Sequence, residues 1–156
     1  MITLVLVRHA KSDWGDPRLA DHDRRLNTRG LRDAPRMARR LADTGFRPEA
    51  ILSSTAVRAA TTADFFSGPF AVPVELQERL YAAPAPVLLR AAAERAAGSV
   101  IVVAHDPGIS ALAAELSGSG IARMPTCAVA AFTWDEDDWD VATAVDPSSW
   151  TLATPR

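Results

Sequence analysis

Ile2-Thr3-Leu4-Val5-Leu6-Val7-Arg8-His9-Ala10 and Ser99-Val100-Ile101-Val102-Val103-Ala104-His105-Asp106-Pro107-Gly108 follow one pattern. Ile2–Val7 and Ser99–Ala104 are nearly all apolar, and most of their side chains are branched. A short run of that composition, without polar alternation, reads as a strand buried on both faces. Strands covered on both faces belong to α/β sheets, where crossover helices supply the cover. Each run then stops at a histidine, with arginine before His9 and a helix opening after His105. In open α/β sheets ligands bind in the crevice at the carboxyl ends of the strands. Two of the three histidines therefore stand where a site is expected, whereas His22 lies in a polar loop and reads as exposed.

Working outward, a polar loop runs from Ala10 to Leu26, long enough to be functional. A helix is predicted over Arg29–Thr44, with Leu31, Ala34, Ala38, Leu41 and Ala42 on one face, Thr28 as N-cap and Gly45 just past its end. Pro35 interrupts that pattern. Either the helix kinks there or its regular part starts later, capped by Asp33. Ala50–Ser53, Ala56–Phe66, Val72–Leu76, Pro84–Ala97 and Pro107–Leu116 read in turn as strand, helix, strand, helix and helix, with Ser99–Ala104 between the last two. Ala128–Trp134 and Trp139–Val145 read as a strand pair around the acidic turn Asp135–Asp138, and residues 147–156 as a polar tail. The alternation predicts a three-layer α/β sandwich with a mainly parallel central sheet, as a single domain over residues 1–146. The last strand pair would add an antiparallel hairpin at an edge.

The chain has 156 residues and one cysteine, Cys127, which excludes an internal disulfide and a cysteine-based zinc site. No apolar run approaches the ~18 residues of a membrane span. The opening residues are too few and wrongly flanked for a signal peptide, so the expected location is the cytoplasm. A net charge of −2 argues against a general nucleic-acid binder. The charge is unevenly spread: residues 1–58 carry 12 basic and 7 acidic side chains, residues 133–156 carry 1 and 6. The acidic stretch Asp135–Asp140, with Trp134 and Trp139, is either a solvated turn or a partner surface. Nearly all the basic residues are arginine, sixteen against the single Lys11. Arginine suits bidentate recognition of phosphate or carboxylate.

Arg58 falls in the first turn of the helix after the second strand, where its charge opposes the helix dipole. An anion held by the terminal amides and Arg58 together would remove the conflict. Three scattered histidines without clustered carboxylates make a zinc or two-metal centre an unfavoured reading, and no metal or cofactor is expected. No nucleophile-elbow serine, phosphate-binding loop lysine or cysteine motif is present. Histidine with arginine remains, a set suited to phosphoryl transfer through a phosphohistidine. Arginines and a protonated second imidazole would hold the phosphoryl oxygens.

These residues resemble the histidine phosphatase superfamily. Arg8-His9-Ala10-Lys11-Ser12-Asp13-Trp14, Asp21-His22-Asp23-Arg24-Arg25-Leu26-Asn27-Thr28-Arg29-Gly30, Ser53-Ser54-Thr55-Ala56-Val57-Arg58-Ala59-Ala60-Thr61, His105-Asp106-Pro107-Gly108 and Met124-Pro125-Thr126-Cys127-Ala128-Val129 are similar to its short SixA branch of phosphohistidine phosphatases. The resemblance covers roughly residues 1–134. It implies His9 as nucleophile, with Arg8, Arg58 and His105 on the phosphoryl oxygens. It also implies that Arg24, which the residues alone do not separate from Arg25, joins the phosphate pocket. Glu78, in Leu76-Gln77-Glu78-Arg79-Leu80-Tyr81, resembles the proton-donor segment of the mutase-like members. It could equally pair with Arg79 or a pocket arginine.

Ala10 stands where most of the superfamily has glycine, and Asp106 where asparagine is usual. A carboxylate at 106 either points away from a phosphate or holds His105 protonated. The insertions that roof mutase sites are absent, so an open pocket is expected. The expected function is a metal-independent phosphatase, a monomer, acting on phosphohistidine of a protein. The alternatives are a sugar or nucleotide phosphomonoesterase and a non-catalytic module that binds a phosphorylated partner.

Overall fold

A computed structural model describes all 156 residues. Six strands form one mixed sheet: β1 (Ile2–Arg8), β2 (Ala50–Ser54), β3 (Val74–Gln77), β4 (Ser99–Ala104), β5 (Val129–Trp134) and β6 (Ser149–Ala153), in the order β3-β2-β4-β1-β5-β6. The first four are mutually parallel; β5 runs antiparallel to β1, and β6 antiparallel to β5. The helices are α1 (Thr28–Asp43), α2 (Val57–Phe70), α3 (Ala85–Arg95), α4 (Gly108–Leu116) and the single turn α5 (Trp139–Ala142). The three-layer α/β expectation stands. No helix is long and apolar enough to cross a membrane.

Strand periodicity divides the core. Leu4 and Leu6 of β1, with Val100 and Val102 of β4, face Leu88, Ala91 and Leu112 of α3 and α4. Val5 and Val7, with Ile101 and Val103, face Ala34, Met37 and Ala38 of α1 and Ala59, Ala63 and Phe66 of α2. Both faces of each central strand are therefore covered, which is why these strands read as continuous apolar runs.

Helix α1 is capped by Asn27, not Thr28: the Asn27 side chain accepts the Gly30 N–H at 2.9 Å. Pro35 lies inside the helix, which does not start late at Asp33. The proline forfeits one backbone bond, but the buried face of Ala34, Met37, Ala38 and Leu41 continues past it. Gly30 has no room for a side chain, since a Cβ would stand 2.2 Å from the Lys11 carbonyl oxygen. Gly108, at the start of α4, is tighter still against the Ala83 carbonyl at 1.9 Å. These two glycines let the loops that carry the site pass against helix starts.

Two expectations near the C-terminus are corrected. Trp139–Val145 is not a strand. Trp139 turns into the core, where its indole N–H donates to the Ala97 carbonyl at 2.8 Å, and Asp138 caps a single helical turn by accepting the Asp140 N–H at 2.8 Å. The polar tail over residues 147–156 is not a tail throughout, because Ser149–Ala153 forms β6 on the outer edge of β5. A short strand with four exposed residues lacks the apolar run that marks the central ones.

Candidate active site

The register pairs Arg8 with Ala104 across β1 and β4, so the next residues, His9 and His105, emerge side by side. Their ring centroids are 5.1 Å apart. Strand β2 lies on the other side of β4 and leads into the first turn of α2, which carries Arg58. The loop over residues 10–26 folds back across these strand ends. Its limbs are joined by a bridge between Ser12 and Leu26, and by the Asp13 N–H donating to the Arg25 carbonyl at 2.7 Å. This closure brings Arg24 inward. Arg8, His9, Arg24, Arg58 and His105 thus line one cleft of about 180 Å³, with Lys11, Ser12, Trp14, Asp106 and Thr126. Glu78 is not among the lining residues; it is exposed, at the start of a short turn after β3.

Backbone contacts fix the His9 turn from two sides. Thr62 of α2 accepts the Ala10 N–H at 3.0 Å and donates to the Arg58 carbonyl at 2.8 Å. The Cys127 N–H is shared between the carbonyls of Arg8 and His9, both at 3.1 Å. Cys127 holds a left-handed backbone, φ 61°, to make that contact. Its thiol is pushed up to about 12 by burial, so it is not a thiolate near neutral pH.

The His9 ring is fixed as one tautomer. Nδ1 lies 2.8 Å from the Ala10 carbonyl, which can only accept, so Nδ1 carries the proton. The lone pair is then on Nε2. Burial, together with Arg58, Arg8 and Arg24, lowers the His9 pKa to about 4, leaving the ring neutral at physiological pH. His105 is lowered to about 3 by burial, by His9 and by Arg58. Its Nε2 meets the Ser54 hydroxyl at 2.7 Å, while the buried Nδ1 has no hydrogen-bond partner. Without an anion His105 is therefore neutral; the protonated imidazole expected from sequence refers to the ring with a phosphoryl group bound.

Asp21 is a carboxylate that raises the His105 pKa, and Asp106 is engaged elsewhere. The Asp106 carboxylate lies 3.3 Å from Arg8 Nη1 and accepts a hydrogen bond from the Ser110 hydroxyl. Arg8 Nη1 also donates to the Met124 carbonyl at 3.0 Å, so both partners orient that guanidinium.

Asp21 has a position that the sequence did not disclose. Its carboxylate accepts from Arg58 Nη2 at 3.0 Å, from Arg24 Nε at 3.2 Å and from the Tyr81 hydroxyl at 2.6 Å. Its carbonyl accepts Arg58 Nη1 at 2.7 Å. The Tyr81 hydroxyl and Arg58 hold the carboxyl well below its usual range, so Asp21 is ionised. Part of the dipole conflict at Arg58 is thus relieved within the chain. Asp21 escaped sequence reading because it is one of several aspartates in a polar loop, and only closure of the loop singles it out. His22 is also more engaged than expected, with Nε2 at 2.8 Å from the Thr55 hydroxyl.

Around the cleft four cationic side chains, Arg8, Lys11, Arg24 and Arg58, face two carboxylates, Asp21 and Asp106. With both imidazoles neutral, the excess matches a doubly charged oxyanion. No group of three or more His, Cys, Asp and Glu side chains is placed to hold a metal ion.

Neutral histidine flanked by arginines at the strand ends defines the class, and residues 4–82 match the histidine phosphatase superfamily, branch 1. The chain belongs to that superfamily. A protein of Mycobacterium leprae is 43% identical over 120 residues, 73% of each chain. Among solved structures, an Agrobacterium tumefaciens protein assigned to the SixA phosphohistidine phosphatases superposes with a TM-score of 0.80 at 30% identity, over 85% of this chain and 92% of that one. The protein histidine phosphatase SixA, solved with tungstate, shares the fold with a TM-score of 0.76 at 23% identity, over 98% and 95%.

Proposed function

We propose that this chain is a metal-independent phosphatase that removes phosphate from phosphohistidine carried on a protein. The neutral His9 Nε2 attacks phosphorus, the bond to the leaving group breaks, and the phosphoryl group rests on His9. Water then attacks that phosphorus, releasing inorganic phosphate and restoring the imidazole. Arg8, Arg24 and Arg58 neutralise the charge on the phosphoryl oxygens, where water exclusion strengthens their effect. His105 gains a proton when the dianion binds, because the anion offsets the desolvation that keeps the free ring neutral.

The observation that carries the choice of substrate is the arrangement of acids. Asp106, the one carboxyl group lining the cleft, is turned to Arg8 and Ser110, and Asp21 is ionised. An alkyl phosphate expels an alkoxide and needs a proton donor, whose help is worth about 10²–10⁴-fold. Phosphohistidine expels an imidazole nitrogen and needs little such help. The likeness to the Agrobacterium SixA protein supports the same choice.

The test is turnover of a phosphohistidine peptide and of glycerol phosphate, with EDTA present. Peptide kcat/KM should exceed that for glycerol phosphate by at least a hundredfold. Glu78, which opens the turn carrying Tyr81, is exposed and outside the cleft, so in this reading it is not the proton donor, and Glu78→Gln should leave both rates within about twofold of wild type. Preference for glycerol phosphate would replace the reading with a small-molecule phosphomonoesterase. Orthovanadate binding without turnover of either substrate would leave a phosphate-binding module.

A further inference from the structure

Trp14 is 70% exposed, yet it lines the cleft and is not packed into the core. One face of its indole lies on Arg24, with the guanidinium carbon 3.4 Å from the ring centroid. Arg24 itself is only 8% exposed. Its Nη1 donates to the Ser12 hydroxyl at 2.6 Å and its Nε to Asp21 at 3.2 Å. Nη2 makes no hydrogen bond within the chain. Two edges of the fork are thus committed and one face is covered. The remaining edge belongs to a side chain close enough to His9 to help lower its pKa.

We propose that Trp14 is a positioning residue for the oxyanion site, holding the plane of Arg24 so that Nη2 is directed to the phosphoryl group. The inference rests on the reading of this cleft as a phosphate site. A guanidinium held only by in-plane hydrogen bonds at Nε and Nη1 can still tilt out of its plane. An aromatic face stacked upon it removes that freedom and excludes water from one side, and desolvated cation–π contacts are stronger than exposed ones. The position of Trp14 follows from loop closure. The bridge between Ser12 and Leu26 brings residues 12–14 alongside 24–26. The Gly15 N–H then donates to the Asp13 side chain at 2.7 Å, turning the chain just after the indole. Ser12, Trp14 and Asp21 therefore hold Arg24 from three directions, and only Trp14 does so without taking one of its N–H groups.

The experiment measures orthovanadate affinity by calorimetry and steady-state turnover of p-nitrophenyl phosphate. It compares wild type, Trp14→Ala, Trp14→Phe, Arg24→Ala and the Trp14→Ala/Arg24→Ala double variant. Trp14→Ala should weaken orthovanadate binding about tenfold and raise KM by a similar factor, with the loss falling on KM rather than kcat. Trp14→Phe, which keeps a ring face, should recover most of the affinity. In the Arg24→Ala background the Trp14→Ala change should cost little more, because the two residues act as one unit. Trp14 fluorescence should respond to orthovanadate in wild type and be missing from the response of Trp14→Phe.

Wild-type binding with Trp14→Ala within twofold of it would overturn the inference and leave the phosphatase reading intact. So would equal losses for Phe and Ala, or the same tenfold loss with Arg24 already removed. Failure of wild type itself to bind orthovanadate would overturn both.

Discussion

All five residues of β2 are buried, whereas four of the five residues of β6 are exposed. The two strands belong to one sheet and differ in what covers them. β2 has α2 on one face and contributes Leu52 to the α3–α4 side on the other. β6 hangs on β5 at the margin, where Leu152 and Ala153 border a shallow apolar groove against Met37 and Leu41 of α1. The centre can therefore hold its strand ends to a narrow geometry, and every cationic group of the cleft is fed from those ends or from loops closed over them. The margin seals the outer edge of β5, and the segment leading into β5 carries Cys127, whose N–H fixes the His9 turn. Rigidity is concentrated where the charges must converge.

That contrast can be broken first at the cleft. On the proposed mechanism, His9→Ala should lower kcat for a phosphohistidine peptide by about 10⁴-fold or more, since the other imidazole of the cleft, His105, has its Nε2 engaged with Ser54 and takes up a proton when the anion binds. Thermal unfolding should show an intact fold. Activity within tenfold of wild type would remove His9 from the chemistry.

The next effect concerns acid. His9 and His105 titrate at about 4 and 3 in the folded chain, against about 6.5 when unfolded. Between those values the unfolded state binds more protons, so stability is complete above about pH 6.5 and falls as pH drops toward 4. At about 1.4 kcal/mol per pKa unit, the two buried rings together weaken the fold by several kcal/mol across that window. Urea midpoints at pH 7, 6 and 5 should decline less steeply for His9→Ala than for wild type. Parallel declines would show that these rings do not drive acid unfolding.

The smallest effect compares two leucines directly. Leu6→Ala, at a fully buried site in β1, should cost about 2–5 kcal/mol, whereas Leu152→Ala, 39% exposed in β6, should cost under about 1 kcal/mol. Chemical denaturation of both variants at pH 7 gives the difference, and equal costs would mean that β6 is as much a part of the core as β1.

Legibility in the sequence follows the same division. Ile2–Val7 and Ser99–Ala104 announce themselves because a strand covered on both faces needs apolar residues at every position. The ends of those runs then place His9 and His105 without any knowledge of the rest of the chain. Arg58 is legible because its charge stands against a helix dipole. β6 is not legible: Ser149-Trp150-Thr151-Leu152-Ala153 is short, flanked by proline and half polar, as an edge strand exposed to water is free to be. Trp139 reads as a strand residue until its indole is seen to seek the Ala97 carbonyl.

By itself, then, the sequence determined the parallel centre of the sheet, the location of the cleft at its carboxyl edge, and four of the side chains that meet there, Arg8, His9, Arg58 and His105, whereas Arg24 was implied only by the family resemblance. Those features depend on local composition and on where apolar runs stop. Only the tertiary structure decided that β4 lies between β1 and β2, which sets the two imidazoles side by side. It also decided that Asp21 ties Arg24 and Arg58 together, that Asp106 is turned to Arg8 and Ser110, and that Trp14 covers a guanidinium ten residues away in the chain. Each of these is a contact made by closure of the loop over residues 10–26 or by strand order. Neither leaves a periodic signal, because the energy of such contacts lies in the meeting of distant residues and not in the pattern of any one segment.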